Sequence, residues 1–541
     1  MGIPATFPEP QLSQESRNPA MILFGSRFIS DQTVLDLLAE FLAVAFASKE
    51  IQNYTIDEPL PALEILQRWP RLKGAKLKYQ LPIKLNLKLL AFLCASPLDK
   101  RHEIHEEQYR HVAGILAQKI LSYRQSPEEV REWVEDFLMG MQGAGFDRTW
   151  CAQTPYPISP KLLLQETIWN NTFAKSANPS SWQESLSNFK RYYSVTRHRF
   201  LARGGELLYL QLCNLFADRK HEVEKFAKLL GYYQGSETYE NLYRSLVSGL
   251  ARIMSKQLSP VDMIAEFIEH LDPETNDATN AGNASLSCEW CSQESWPEAY
   301  LFAIELSQLL QASLDPIERL ELLQIGCAIQ AMRSIAAQSI RYAHYPLLEG
   351  RGGALNYAWV FSPLSKCTRQ HRLASCSNLQ VNFKLIQRAI NNPDILNHTN
   401  RNRGNKTIQS LITEANTRYG HKYFKTIGVR LGIIFPRTGA EPRFVLTDKF
   451  LRYMVLTVLK PGERCEYTTF KQRIYRHYGA AFEQDELDDA LAWSELPVNS
   501  SIQSDNSSLL SDMLRAGGFL TELSDGCAIV ANPFGREEGQ Q

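Results

Sequence analysis

Apolar residues recur at intervals of three and four along much of the chain. Val34, Leu37, Leu38, Phe41, Leu42 and Ala45 form one such stripe, the spacing that gathers side chains on one face of an α-helix. Start signals accompany two others. Ser126-Pro127-Glu128-Glu129 precedes Val130, Trp133, Val134 and Phe137, and Ser259-Pro260-Val261-Asp262 precedes Met263 to Leu271. Each supplies a capping hydroxyl, a proline at the first helical position and a carboxylate near the positive helix end. The same periodicity predicts helices over 105–123, 203–217, 238–256, 297–313 and 316–341, so residues 31–345 read as predominantly helical. No fixed-period repeat with matching residues is found, which argues against a regular solenoid.

Polar, small-residue stretches interrupt this pattern at 272–287, 349–359 and 391–407. The first reads as a linker. Beyond 407 the texture changes: a helix is predicted over 407–419, short strands within 426–448, then helices over 449–459 and 469–478 and an acidic helix near 485–493. A polar insertion at 498–508 precedes a helix at 509–518, and 519–534 reads as two strands around Ser524-Asp525-Gly526, a hairpin turn signal. Helix, turn, helix, helix, hairpin is the order of a winged helix-turn-helix. The predicted fold class is therefore mainly α: a multi-domain helical body with a C-terminal winged helix-turn-helix. The expected layout is a flexible N-terminus (1–30), a helical domain (31–271), a linker (272–287), a helical domain holding a zinc knot (288–400), and a basic segment with the winged helix (401–541).

Composition is compatible with this picture: of 541 residues, 44% are hydrophobic and 22% charged, with a net charge of −1. The N-terminal segment lacks a basic region followed by an apolar one, so no signal peptide is predicted. The apolar run 34–48 carries Glu40 and falls short of the ~20 residues of a membrane span. A cytoplasmic protein without membrane contact is expected, and ten scattered cysteines suit a reducing compartment.

Cys288 and Cys291, in LSCEWCSQESW, stand three apart. Such a pair is half of a tetrahedral zinc site, and Cys367, His371 and Cys376 of KCTRQHRLASC offer the other half of a structural zinc. Unrelated core thiols are the alternative. A redox pair is disfavoured because no βαβ context surrounds it. In HEIHEEQYRH, His102, His105 and His111 miss the zincin spacing and read as the start of a solvated, charged helix.

Charge is segregated. Residues 401–476 hold sixteen Lys and Arg against five acids, an excess of +11. That is the footprint of a phosphate-contacting surface. Arg401, Arg403, Lys406, Lys422 and Lys425, with Lys471, Arg473 and Arg476 on the penultimate basic helix, are the candidate contacts with double-stranded DNA. Two further stretches, 188–205 and 68–88, interleave bases with aromatics that could stack on unpaired bases; ordinary solvated helix faces are the alternative. The nominal recognition helix near 507–518 carries Arg515 but also Asp512, few donors for a major-groove reader, so a protein-docking use of the same scaffold stands beside DNA binding.

No phosphate loop, nucleophile elbow, kinase set or phosphodiesterase pattern is present, and 350-GRGGALNY-357 has glycines without the lysine. A non-catalytic role leads. The run 427-IGVRLGIIFPRTGAEPRFVLTDKFLRYMVLTVLKPGERCEYTTFKQRIYRHYG-479 and the hairpin 517-GGFLTELSDGCAIVANPF-534 resemble the C-terminal part of large helical accessory proteins of bacterial antiviral defence islands, those of methylation-associated and related restriction-like systems. The resemblance implies a DNA-engaging or scaffold subunit of an anti-phage complex, working beside a separate methyltransferase, ATPase or nuclease. An interaction adaptor without nucleic-acid binding, or a nuclease assembled from dispersed residues, are the other readings.

Overall fold

The structure, a computed structural model, describes residues 2–9, 17–26, 28–93, 103–121, 124–144, 148–169, 179–195, 203–231, 239–255, 259–343, 351–364, 369–439, 441–495, 509–523 and 526–537. It is mainly α-helical with small sheets. The first predicted stripe lies on the helix Val34–Phe46, which begins at Thr33. There the hydroxyl accepts from the Asp36 N–H and the Asp36 carboxylate accepts from the Thr33 N–H, a reciprocal cap. This helix is buried on nearly every face because it packs against Gly204–Leu215, itself buried throughout. Gly205 makes the approach possible: a Cβ there would stand 2.4 Å from the Phe41 backbone nitrogen. Glu40, which broke the apolar run in the sequence, accepts from the N–H groups of Arg203 (2.9 Å) and Gly205 (2.8 Å) and so satisfies the start of the second helix.

The predicted helices are present as Glu103–Lys119, Pro127–Gly140, Gly204–Leu215, Tyr239–Ser255, Ser259–Glu269, Trp296–Gln311 and Pro316–Tyr342. Ser126 forms a capping box with Glu129 as its sequence suggests.

Two expectations are corrected. Residues 272–287 are not a free linker: Asp272 caps a helix, Pro273–Gly282, and Leu286–Ser287 forms the edge of a four-stranded antiparallel sheet with Leu77–Gln80, Ser48–Ile51 and Tyr54–Ile56. Small size is what lets this helix pack. Thr275 and Thr279 are fully buried, Trp182 Nε1 donates to Thr275 Oγ1 (2.9 Å), and a Cβ on Gly282 would meet Phe189 at 2.5 Å. The N-terminal 1–30 segment is also ordered where described: Thr6–Phe7 pairs with Cys291–Ser292, and the helix Pro19–Phe24 buries Ile22, Leu23 and Phe24.

After residue 407 the chain forms a helix Ile408–Glu414, a π-helical turn Ala415–Tyr419 and a helix Gly420–Leu431, so part of the region predicted as strand is helical. The strands that follow, Ile434–Phe435 and Arg443–Val445, join Trp359–Ser362 and Ala480–Ala481 in a second four-stranded sheet. The helices Asp448–Val458, Tyr467–Tyr478, Gln484–Trp493 and Leu509–Ala516 follow. A three-stranded antiparallel sheet completes this region, with Ala528–Ala531 between Arg464–Glu466 and Leu520–Glu522. Ser524 and Asp525 of the expected hairpin turn lie outside the described residues.

One fully buried polar network ties the last quarter to the body. Glu305 on Trp296–Gln311 pairs with Arg333 on Pro316–Tyr342, accepts from the Tyr453 hydroxyl (2.6 Å) and lies 2.6 Å from His477 Nε2. Buried charges are tolerated there because each is paired and hydrogen-bonded. Among the described residues no helix is long and apolar enough to cross a membrane.

Candidate nucleic-acid interface

The candidate cations divide into two groups by what surrounds them. Lys471 is 6% exposed at its side chain and faces Glu483 (3.8 Å) and Glu486 (3.6 Å), with the Tyr467 ring beneath it. Arg473 is paired with Glu463 at 2.6 Å. Arg476 is exposed, but its guanidinium reaches the Leu230 carbonyl (3.4 Å) at the end of the helix Lys220–Leu230. These three were expected to hold phosphate; two are neutralised by carboxylates of their own region and the third rests on a helix C-terminus. For Lys471 the cause is the acidic start of the helix Gln484–Trp493, capped by Glu483, which packs against Tyr467–Tyr478; for Arg473 it is Glu463, just ahead of the strand Arg464–Glu466. Arg515 is likewise paired, with Asp512 (2.8 Å) and Glu522.

The other group stays unneutralised. Arg401, Arg403, Arg418 and Lys422 are exposed and Lys425 half-buried, and among the described residues no carboxylate comes within ion-pairing distance of any of them. Lys406 is exposed and paired with Glu414 at 2.9 Å. Lys422 and Lys425, three apart on Gly420–Leu431, share one face of that helix, and Arg418 precedes them on the π-helical turn. Their field is felt by neighbours: Lys422 and Lys425, after burial, hold the His421 imidazole below its ordinary range, and Arg401 does the same to His398.

Local structure presents these groups. At the π-helical turn Ala415–Tyr419 the Arg418 carbonyl accepts from the Ser30 N–H (2.8 Å), which locks the turn to the N-terminal segment. A cleft of about 550 Å³ beside it is lined by Lys406, Arg418 and the hydroxyls of Thr407, Ser410, Thr413 and Thr417, with Glu414 as its acid. A second cleft of about 630 Å³, which shares Lys406 and Glu414 with the first, brings Arg17 and Asn18 near Arg403. Arg17 carried no signal in the sequence analysis, since the basic excess lay nearly four hundred residues away.

The aromatic stretches do not offer stacking platforms. Phe189, Tyr192 and Tyr193 are buried, with Tyr192 stacked on Trp169 at 5.5 Å, and Trp69 and Tyr79 are core residues. Phe200 lies outside the described residues. His105 is a core residue too, set edge-on against Trp150, Trp169 and Trp182 at 5.2, 4.9 and 5.8 Å. His111 is exposed and His102 lies outside the described residues.

Among the described residues the expected zinc ligands do not gather into a metal site. Cys288 and Cys291 are fully buried and in no disulfide; Cys288 follows the strand Leu286–Ser287, its N–H donating to the Leu77 carbonyl, and Cys291 lies opposite Phe7. Burial pushes the Cys291 thiol up to about 12, so it is protonated at neutral pH. Cys376 sits on the helix Arg369–Ile390, beside Glu441 and Arg443, and His371 is buried on the same helix. Among the described residues no three His, Cys, Asp or Glu side chains gather as a metal site; Cys367 lies outside them. Compared with protein-family models, with curated proteins and with solved structures, the chain finds no match.

Proposed function

We propose that this protein is a non-catalytic, DNA-binding or scaffold subunit that holds duplex DNA by its phosphates. The observation that carries the reading is the set of unneutralised cations Arg401, Arg403, Arg418, Lys422 and Lys425 on one segment of a nearly neutral protein. Hydroxyls of Thr407, Ser410 and Thr413 in the cleft beside Arg418 add neutral donors suited to phosphate oxygens. The C-terminal order of helix, strand, helix, short strand, two helices and two strands among the described residues, with the last strand central in its sheet, supports a winged helix-turn-helix. Lys471, Arg473 and Arg515 are paired within it, so on this reading the winged helix docks a partner protein and the 401–425 segment meets DNA. The resemblance of the last quarter to defence-island accessory proteins would make those partners the enzymes of an anti-phage complex.

A specific observation favours the adaptor reading as well. The helix Pro127–Gly140 exposes Trp133 (57%) and Phe137 (42%) one turn apart, flanked by Glu129, Glu132 and Asp136, a face suited to a partner's groove. Charge reversal separates the two. Arg401→Glu, Arg418→Glu and Lys422→Glu together should cut duplex affinity about a hundredfold or more in a mobility-shift assay, because each lost phosphate contact also introduces repulsion. If the triple variant binds duplex DNA as the parent does, the 401–425 surface is not the DNA site.

A further inference from the structure

The helix Pro127–Gly140 spends only one side on the rest of the protein. It packs on Leu85–Phe92 and Glu103–Lys119: Leu138 is buried, Val134 lies against the core and Glu135 accepts from the Tyr109 hydroxyl (3.0 Å). The opposite side carries two rows at helical spacing, Glu128, Glu132 and Asp136 in one and Glu129, Trp133 and Phe137 in the other, all exposed. Glu129 is engaged in the cap and Glu132 lies 3.9 Å from Arg131. Glu128 and Asp136 take part in no ion pair among the described residues.

Exposed aromatic rings set among carboxylates match one kind of counterpart. A guanidinium pairs with a carboxylate through parallel N–H groups and lays its flat face on an aromatic ring, so an arginine-rich surface satisfies both rows at once. This chain presents such a surface: Arg401, Arg403, Arg418 and Lys422 are exposed and have no carboxylate within ion-pairing distance among the described residues. No ion pair joins that surface to the helix within one chain, again among the described residues.

We infer that the helix Pro127–Gly140 docks on the arginine-bearing 401–422 surface of a second copy of this chain. The inference rests on the adaptor observation above and names its partner. Helix and basic surface are different patches, so the contact is heterologous and each copy keeps one half of it free. The cations engaged are those assigned to phosphate, so a second copy and duplex DNA exclude one another. Attraction between exposed charges is screened by salt, which sets the conditions of the test.

Sedimentation velocity on the full chain at low salt reads mass against concentration. The parent should rise above the mass of one chain and fall back to it in about 1 M salt, where the screening length is about 3 Å. Glu132→Gln, Trp133→Ala and Asp136→Asn together form a helix variant; Arg401→Glu, Arg418→Glu and Lys422→Glu together form a surface variant. Each alone should associate at least about tenfold more weakly than the parent. Mixed in equal amounts they should form a species of two chains, because the surface variant keeps an intact helix and the helix variant an intact surface. That rescue also shows both variants to be folded. A short duplex in excess should dissociate the parent assembly. A parent that stays at the mass of one chain at every concentration, with duplex binding retained, would overturn the second-copy contact and spare the duplex surface. Unweakened association of the surface variant, or an assembly that survives saturating duplex, would put the helix on another surface and overturn it as well. Absence of duplex binding, with association and rescue intact, would overturn the nucleic-acid reading and leave the contact between copies standing.

Discussion

At the scale of single residues, burial rather than identity decides what each charge can do. Glu269 is buried with its carboxylate accepting from the Leu87 N–H (3.1 Å), and desolvation pushes its pKa up to about 8. The folded state therefore holds a proton that the unfolded chain releases near pH 4.3. The stability this proton confers is complete below about pH 4.3 and is lost as pH rises towards 8. Glu269→Gln should flatten this part of the pH–stability curve, measured by urea unfolding at pH 5, 6, 7 and 8. Thiol reactivity tests burial at LSCEWCSQESW. Cys288 and Cys291 should resist a thiol reagent in the folded protein, whereas the exposed Cys527 reacts at once. Rapid native labelling of either buried thiol would contradict their place in the core. The same principle explains which candidates were legible in sequence. Arg401 and Lys422 are exposed cations, as a phosphate contact requires, but the pairing of Lys471 depends on Glu483 and Glu486, whose approach is set by tertiary packing. Charge density along a chain cannot register that neutralisation.

At the scale of elements, periodicity and caps announced most helices, and small polar residues concealed one. The stripe at 34–45 and the Ser126 box gave their helices directly, because apolar spacing and capping chemistry are local. Pro273–Gly282 was hidden because Thr275, Thr279 and Gly282 pack through smallness and hydrogen bonds, which resemble a linker in composition. Gly282→Leu should cost about 1–3 kcal/mol by forcing the helix away from Phe189. A free linker would tolerate the change with unaltered urea midpoint. The Glu305 network makes a stronger demand on helix placement. Glu305→Ala strands the Arg333 guanidinium in the core and should cost about 3–5 kcal/mol by denaturant titration. Loss of less than ~1 kcal/mol would mean that the network does not join the C-terminal helices to the body.

At the scale of the whole molecule, one apolar network of buried side chains runs from Phe7 to Val530, so the helical body and the C-terminal elements share a core. Its mainly α character was legible from the spacing of apolar residues. The pairing of Thr6–Phe7 with Cys291–Ser292, and the meeting of Arg17 with Arg403, were not, because both depend on contacts between distant parts of the chain. That long-range closure places unneutralised cations beside the N-terminal segment and away from the acidic C-terminal helices. The central claim is that this surface binds DNA phosphates, and the salt dependence of duplex affinity tests it most directly. Affinity should fall linearly in log–log form with a slope magnitude of about 3–5, as expected for four or five neutralised phosphates. A slope near zero, or no measurable duplex binding at low salt, would contradict it.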